Sequence, residues 1–122
     1  MKSERLQNFS YSLNYLRQVN DDQSFIRHFS QKVLKKIPKH VVQILAGTVN
    51  GDSAKVLGEL HQIRSISRIY ELNNIIIIIS ALEHELLHEA TYLNSERDTV
   101  GELISGLERF CHELAAELDI QL

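Results

Sequence analysis

Apolar residues recur at three- and four-residue spacing along nearly the whole chain, and four polar clusters interrupt that rhythm: Asn20 to Gln23, Asn50 to Asp52, Glu71 to Asn74, and Asn94 to Asp98. Such spacing places apolar side chains on one face of an α-helix. Leu6, Phe9, Leu13, Leu16 and Val19 predict a short N-terminal amphipathic helix. Asp21 or Asp22 then caps the next one, whose stripe is Phe25, Phe29, Val33, Ile37, Val41, Ile44 and Leu45. Pro38, the only proline, sits inside that stripe without shifting its phase. Its missing N–H predicts a kink, or two abutting helices with Pro38 near the start of the second.

The turn signal Asn50-Gly51-Asp52 precedes a third helix, capped by Asp52 or Ser53 and running to about Tyr70, with Val56, Leu60, Ile63 and Ser67 as its stripe. The five isoleucines from Ile75 to Ile79 suggest a buried strand when taken alone. Helical spacing continues beyond them through Ile75, Ile79, Leu82, Leu86 and Leu93, which favours a fourth helix. The run from Asn94 to Asp98 reads as the next connection, with Thr99 and Glu102 spaced as a capping box. A last helix carries Val100, Leu103, Leu107, Phe110, Leu114 and Leu118. The expected fold is all-α, an antiparallel four-helix bundle with a short additional N-terminal helix, in a single domain over residues 1–122.

Length and composition are consistent with that expectation. A chain of 122 residues suffices for one hydrophobic core without staples. Cys111 is the only cysteine, which excludes an internal disulfide and suits a reduced, cytoplasmic setting. The net charge of -3 and the lack of a long basic block argue against a nucleic-acid partner. The opening MKSERLQNFSYS has neither the apolar core nor the cleavage site of a signal peptide. The isoleucine run falls far short of the roughly 20 apolar residues of a bilayer span, so no membrane insertion is expected.

Candidate chemistry centres on His61. At about 100° per residue it lies on the shoulder of the third helix's apolar stripe, with Leu57, Arg64, Ser65 and Arg68 on the same side. Two guanidinium groups one and two turns beyond an imidazole suit oxyanions, because each planar fork can hold two oxygens. The constellation fits a histidine that accepts a phosphoryl group through a ring nitrogen. A solvated helix flank is the plainer alternative.

His61-Gln62-Ile63-Arg64-Ser65 resembles the His-x-Leu-Lys-Gly signature of the histidine phosphotransfer (Hpt) domain. The likeness extends over roughly residues 13 to 93: acidic residues and a Phe-rich helix from Asp21, the Gly51-Asp52 turn before the histidine helix, and Leu82-Glu83 where the family has an apolar residue followed by Glu or Gln. It implies a phosphorelay intermediate without kinase activity, whose His61 exchanges a phosphoryl group with aspartates of response-regulator receiver domains, alone or in a hybrid sensor kinase. Arg64 and Arg68 would then face the phosphoryl oxygens, Glu83 would orient the ring through Nδ1, and Gln62, Ser65 and Leu57 would line the docking surface. No cofactor is expected on this chain, since magnesium comes with the receiver. Ser65 and Glu71 stand where the family usually has glycine. These departures leave open a module of the same fold that binds, scaffolds or inhibits a two-component partner without transfer.

A second motif competes. His84-Glu85-Leu86-Leu87-His88 matches the H-E-x-x-H pattern of zinc hydrolases, with Glu108 as an imaginable third ligand. Both histidines fall opposite the apolar stripe, and no upstream sheet is available to form a substrate groove, so no metal site is expected. His28, His40 and His112 lack a partner at suggestive spacing, and Cys111 beside Phe110 reads as core or near-core.

Overall fold

The computed structural model describes residues 4–88 and 93–122, with the side chains of 93–97 outside the description. Among the described residues there is no strand. A single 3-10 turn at Glu4–Leu6 precedes five α-helices: α1 (Asn14–Val19), α2 (Gln23–Asn50), α3 (Ser53–Ile69), α4 (Asn73–Leu87) and α5 (Leu93–Glu117). The four long helices pack in sequence, α2 on α3, α3 on α4 and α4 on α5, and α2 also meets α5. No described helix is long and apolar enough to cross a membrane.

The N-terminal helix is shorter than its periodicity predicts. Residues 4–13 are not α-helical, Asn8 takes a left-handed backbone (φ 56), and the Ser12 amide donates to the Tyr70 carbonyl at 2.8 Å. Phe9, Leu13 and Leu16 are nonetheless buried, while Val19 is 60 % exposed. A main-chain bond to the α3–α4 turn has replaced a helical one, an exchange that side-chain spacing does not report.

Asp22 caps α2, accepting from the Ser24 amide at 2.8 Å. The helix then runs unbroken through Pro38, so the alternative of two abutting helices does not hold. Pro38 is exposed, so its ring lies on the outer face of the helix and does not interrupt the core. The buried face of α2 is Ile26, Ser30, Val33, Leu34, Ile37, Ile44 and Gly47, rotated from the predicted stripe. Phe25, Phe29 and Val41 flank it, and Leu45 is exposed. Ser30 marks the difference: its hydroxyl pairs with that of fully buried Tyr70 at 2.8 Å, a polar contact inside the core. Phe29 and Phe110 ring the same tyrosine at centroid distances of 6.4 and 5.0 Å.

Three helices end alike. At Gly51 (φ 67), Glu71 (φ 52) and Asp119 (φ 55) the chain turns left-handed. The amides of Asp52, Leu72 and Ile120 reach back to the carbonyls of Gly47, Ser67 and Ala115, each at 2.8 Å. These are Schellman closures, which satisfy the last helical carbonyls. Arg27 adds to the third, donating to the carbonyls of Leu118 and Asp119 at 3.1 and 2.8 Å. Asp52 also starts α3, accepting from the Lys55 amide at 3.1 Å.

The buried residues of α3 are Val56, Leu60, Ile63 and Ser67, as the pattern predicts. The isoleucine run is helical: Ile75, Ile78 and Ile79 enter the core, while Ile77 is 59 % exposed. The boundary after it differs from expectation. α4 stops at Leu87 with His88 at its cap, and α5 begins at Leu93, so Asn94 to Asp98 lie inside α5. Leu93, expected on the fourth helix, belongs to the fifth, and residues 89–92 lie outside the description. Thr99 is a buried helical residue rather than a cap, and its hydroxyl donates to Glu85 Oε1 at 2.9 Å. Asn, Ser and Asp favour both helix starts and turns, so composition alone does not separate the two.

Candidate functional site on the outward face of α3

Burial of Leu60, Ile63 and Ser67 fixes the rotation of α3 and thereby what it presents. His61, Gln62, Ser65 and Arg68 are exposed, while Leu57 and Arg64 are half-buried. On the side of His61 toward the helix start, Gly58 has open space where a Cβ would lie. One turn in the other direction, the Ser65 hydroxyl folds back to the His61 carbonyl at 3.3 Å. The imidazole therefore stands between two small residues on its own helix.

Arg64 points toward α4. Its Nη2 donates to Ser80 Oγ at 3.1 Å and also to Glu83 Oε1. The expectation that Glu83 holds Nδ1 of His61 is thus corrected: the carboxylate is engaged by Arg64, and no hydrogen bond joins it to His61. The reason is the phase of α3. Arg64 is on the side that meets α4, His61 faces away from the core, and a guanidinium outcompetes an imidazole for a carboxylate by charge and reach. Arg68 is exposed and makes no ion pair among the described residues, which leaves it as the freer cation beside His61. Nη1 and Nε of Arg64 lie outside the two bonds.

Sequence reasoning missed three participants. Ser80 gives no periodic signal, since its role depends on which residue of α3 passes over it. Gly58 was visible as a helix-disfavouring residue one turn before His61. His40, expected to be partnerless, has Nδ1 at 2.5 Å from Glu59 Oε2 across the α2–α3 contact. A carboxylate-held imidazole exists in this protein, but at His40 rather than His61.

In the H-E-x-x-H segment the two histidines meet each other, and the glutamate is engaged elsewhere. His84 and His88 stack with ring centroids 4.0 Å apart, and Nδ1 of His88 donates to the His84 carbonyl at 2.9 Å. Glu85 is turned to Thr99 on α5. Among the described residues no group of three or more His, Cys, Asp or Glu side chains is placed to hold a metal ion. Cys111 is buried, which pushes its thiol up to about 11, with the Glu108 carboxylate adding to the effect. It is a packed side chain, not a nucleophile.

Compared with protein-family models, with curated proteins and with solved structures, the chain matches none.

Proposed function

We propose that this chain is a histidine phosphotransfer protein or domain, a four-helix bundle that relays a phosphoryl group between receiver aspartates through His61. The observation that carries the reading is the setting of His61: exposed near the middle of α3, bordered by Gly58 and Ser65, with Arg68 unpaired and Arg64 anchored beside it. Glu71 adds support. It occupies the position where the family has glycine, and it takes the left-handed backbone that glycine adopts most readily.

In this reading Nε2 of neutral His61 attacks the phosphorus of an aspartyl phosphate. The bond between phosphorus and the aspartate oxygen breaks, and the carboxylate leaves. Arg68, with the free nitrogens of Arg64, balances charge on the phosphoryl oxygens, and magnesium is supplied by the receiver. The reverse step returns the group to a second aspartate. The setting is cytoplasmic and the chain has no kinase activity of its own.

The Arg64–Glu83 pair favours a second reading, because it withdraws the carboxylate that would orient the ring. In that reading the same face binds a two-component partner without transfer. Incubation with phosphorylated receiver domains separates the two. An acid-labile, base-stable phosphoryl group on the wild-type chain that is absent from His61→Gln supports relay; unlabelled wild type that still binds a receiver supports the docking module. Equal labelling of His61→Gln refutes the role of His61.

A further inference from the structure

One helix face remains unexplained by the core and by the His61 site. On α2, Lys35, Pro38, Val42, Leu45 and Val49 follow one another at spacings of three, four, three and four residues, and Asp52 sits just past the left-handed turn that ends the helix at Gly51. That is the a/d rhythm of a two-helix seam. All six are exposed, with Val42 at 58 %, Leu45 at 43 % and Val49 at 83 %. No other described helix bears three exposed large aliphatic residues in such a row. The seam begins on the groove of about 1070 Å³ between α2 and α5, which Lys35, Pro38 and Val42 help to line.

The order of residues along the row selects its occupant. Turned end for end about a point between Gln43 and Ile44, the row sets Val42 against Leu45 and Pro38 against Val49, and brings Lys35 to the turn that carries Asp52. Each apolar residue then meets an apolar one, and each end is closed by opposite charges. α2 contains no acidic residue, and neither Lys35 nor Asp52 has an ion-pair partner among the described residues. A parallel pairing would stack lysine on lysine. A row that complements its own reverse is what a two-fold interface between identical chains requires.

We infer that α2 is a homodimerisation helix, pairing antiparallel with α2 of a second copy through Pro38, Val42, Leu45 and Val49 and closed by two Lys35–Asp52 ion pairs. From Pro38 to Val49 the seam is about 17 Å long at the helical rise, short enough that association should be weak and concentration-dependent. All four apolar seam residues lie on α2, whereas His61 is on α3, which runs back beside α2 with Glu59 meeting His40.

Sedimentation equilibrium of the full chain over a wide concentration range should show monomer and dimer in exchange. Leu45→Glu should be monomeric throughout, with an unchanged far-ultraviolet circular dichroism spectrum because the side chain is exposed, and Lys35→Glu should weaken association at low salt by roughly tenfold. Register is read by disulfide trapping in a Cys111→Ala background. An equimolar mixture of Pro38→Cys and Val49→Cys chains should cross-link, whereas either alone should not. A wild-type chain that stays monomeric overturns the inference, as does a folded Leu45→Glu chain that still dimerises. Cross-linking of either variant with itself in preference to the mixture would overturn the antiparallel register.

Discussion

Arg64 of α3 and Glu83 of α4 form an ion pair with side chains only 22 % and 24 % exposed, and Ser80 accepts from the same guanidinium nitrogen. The pair ties together the helix that displays His61 and its neighbour. It also makes Arg64 a positioned cation.

Because the pair is partly shielded, a double-mutant cycle between Arg64→Ala and Glu83→Ala should give a coupling of about 0.5–1 kcal/mol, falling as salt is added. The functional consequence separates two roles for Glu83. If the chain relays phosphate as proposed, Glu83→Gln should keep transfer to within a few-fold, since the carboxylate holds Arg64 and not the imidazole. A loss as deep as that of His61→Gln would show that Glu83 acts on the ring during transfer.

Glu71 is exposed and held at φ 52 by the Schellman closure of α3, a backbone that L-residues other than Asn and Asp seldom adopt. Glu71→Gly should raise stability by about 1 kcal/mol in urea unfolding. If the receiver approaches over this turn, the same variant should also accelerate transfer. A destabilised Glu71→Gly chain would mean that the side chain has a stabilising role the described contacts do not contain.

Two helical glycines should respond in opposite directions to alanine. Gly58 faces open space, so Gly58→Ala should stabilise α3 by about 1 kcal/mol through helix propensity. At Gly47 a Cβ would lie 2.7 Å from Val56 Cγ2 and 3.3 Å from the Asp52 carbonyl oxygen. The valine is stiff and the carbonyl belongs to the α2–α3 turn, so overpacking of about 1–3 kcal/mol should outweigh the propensity gain. Thermal melts of the two variants should move apart.

Alkaline pH should unfold the protein through its buried acids. Burial raises the Cys111 thiol from 9.0 to about 11 and the Tyr70 hydroxyl from 10.0 to about 12, the latter partly opposed by the bond to Ser30. Both groups are neutral when protonated, and the folded state holds their protons more tightly than the unfolded one. Their contribution is therefore complete below about pH 9 and is lost as pH climbs through about 11 and then 12. The urea midpoint should be level up to about pH 9 as far as these groups decide it, then decline, and Cys111→Ala should delay the onset toward pH 10. Thiol labelling should track global unfolding.

Periodicity alone placed Val56, Leu60, Ile63 and Ser67 of α3 and Val100, Leu103, Leu107, Phe110 and Leu114 of α5 in the core, because both predicted stripes keep unbroken helical spacing, whereas buried Thr99 lay outside its stripe. Asp22 and Asp52 were legible as caps because a short carboxylate beside free amides needs only its own neighbours. His61 stood out as a shoulder residue with cations nearby for the same local reason, and that much of the candidate site required no tertiary information. Tertiary structure decided what local rules leave degenerate. The face of α2 turned on Ser30 meeting Tyr70, a contact between residues forty apart in sequence. Thr99 of α5 meets Glu85 of α4, a bond between helices that spacing along either one does not report. Glu83 went to Arg64 and His40 to Glu59, because a carboxylate's partner is whichever donor the packing brings within reach, and helical phase within one segment carries no record of its neighbour.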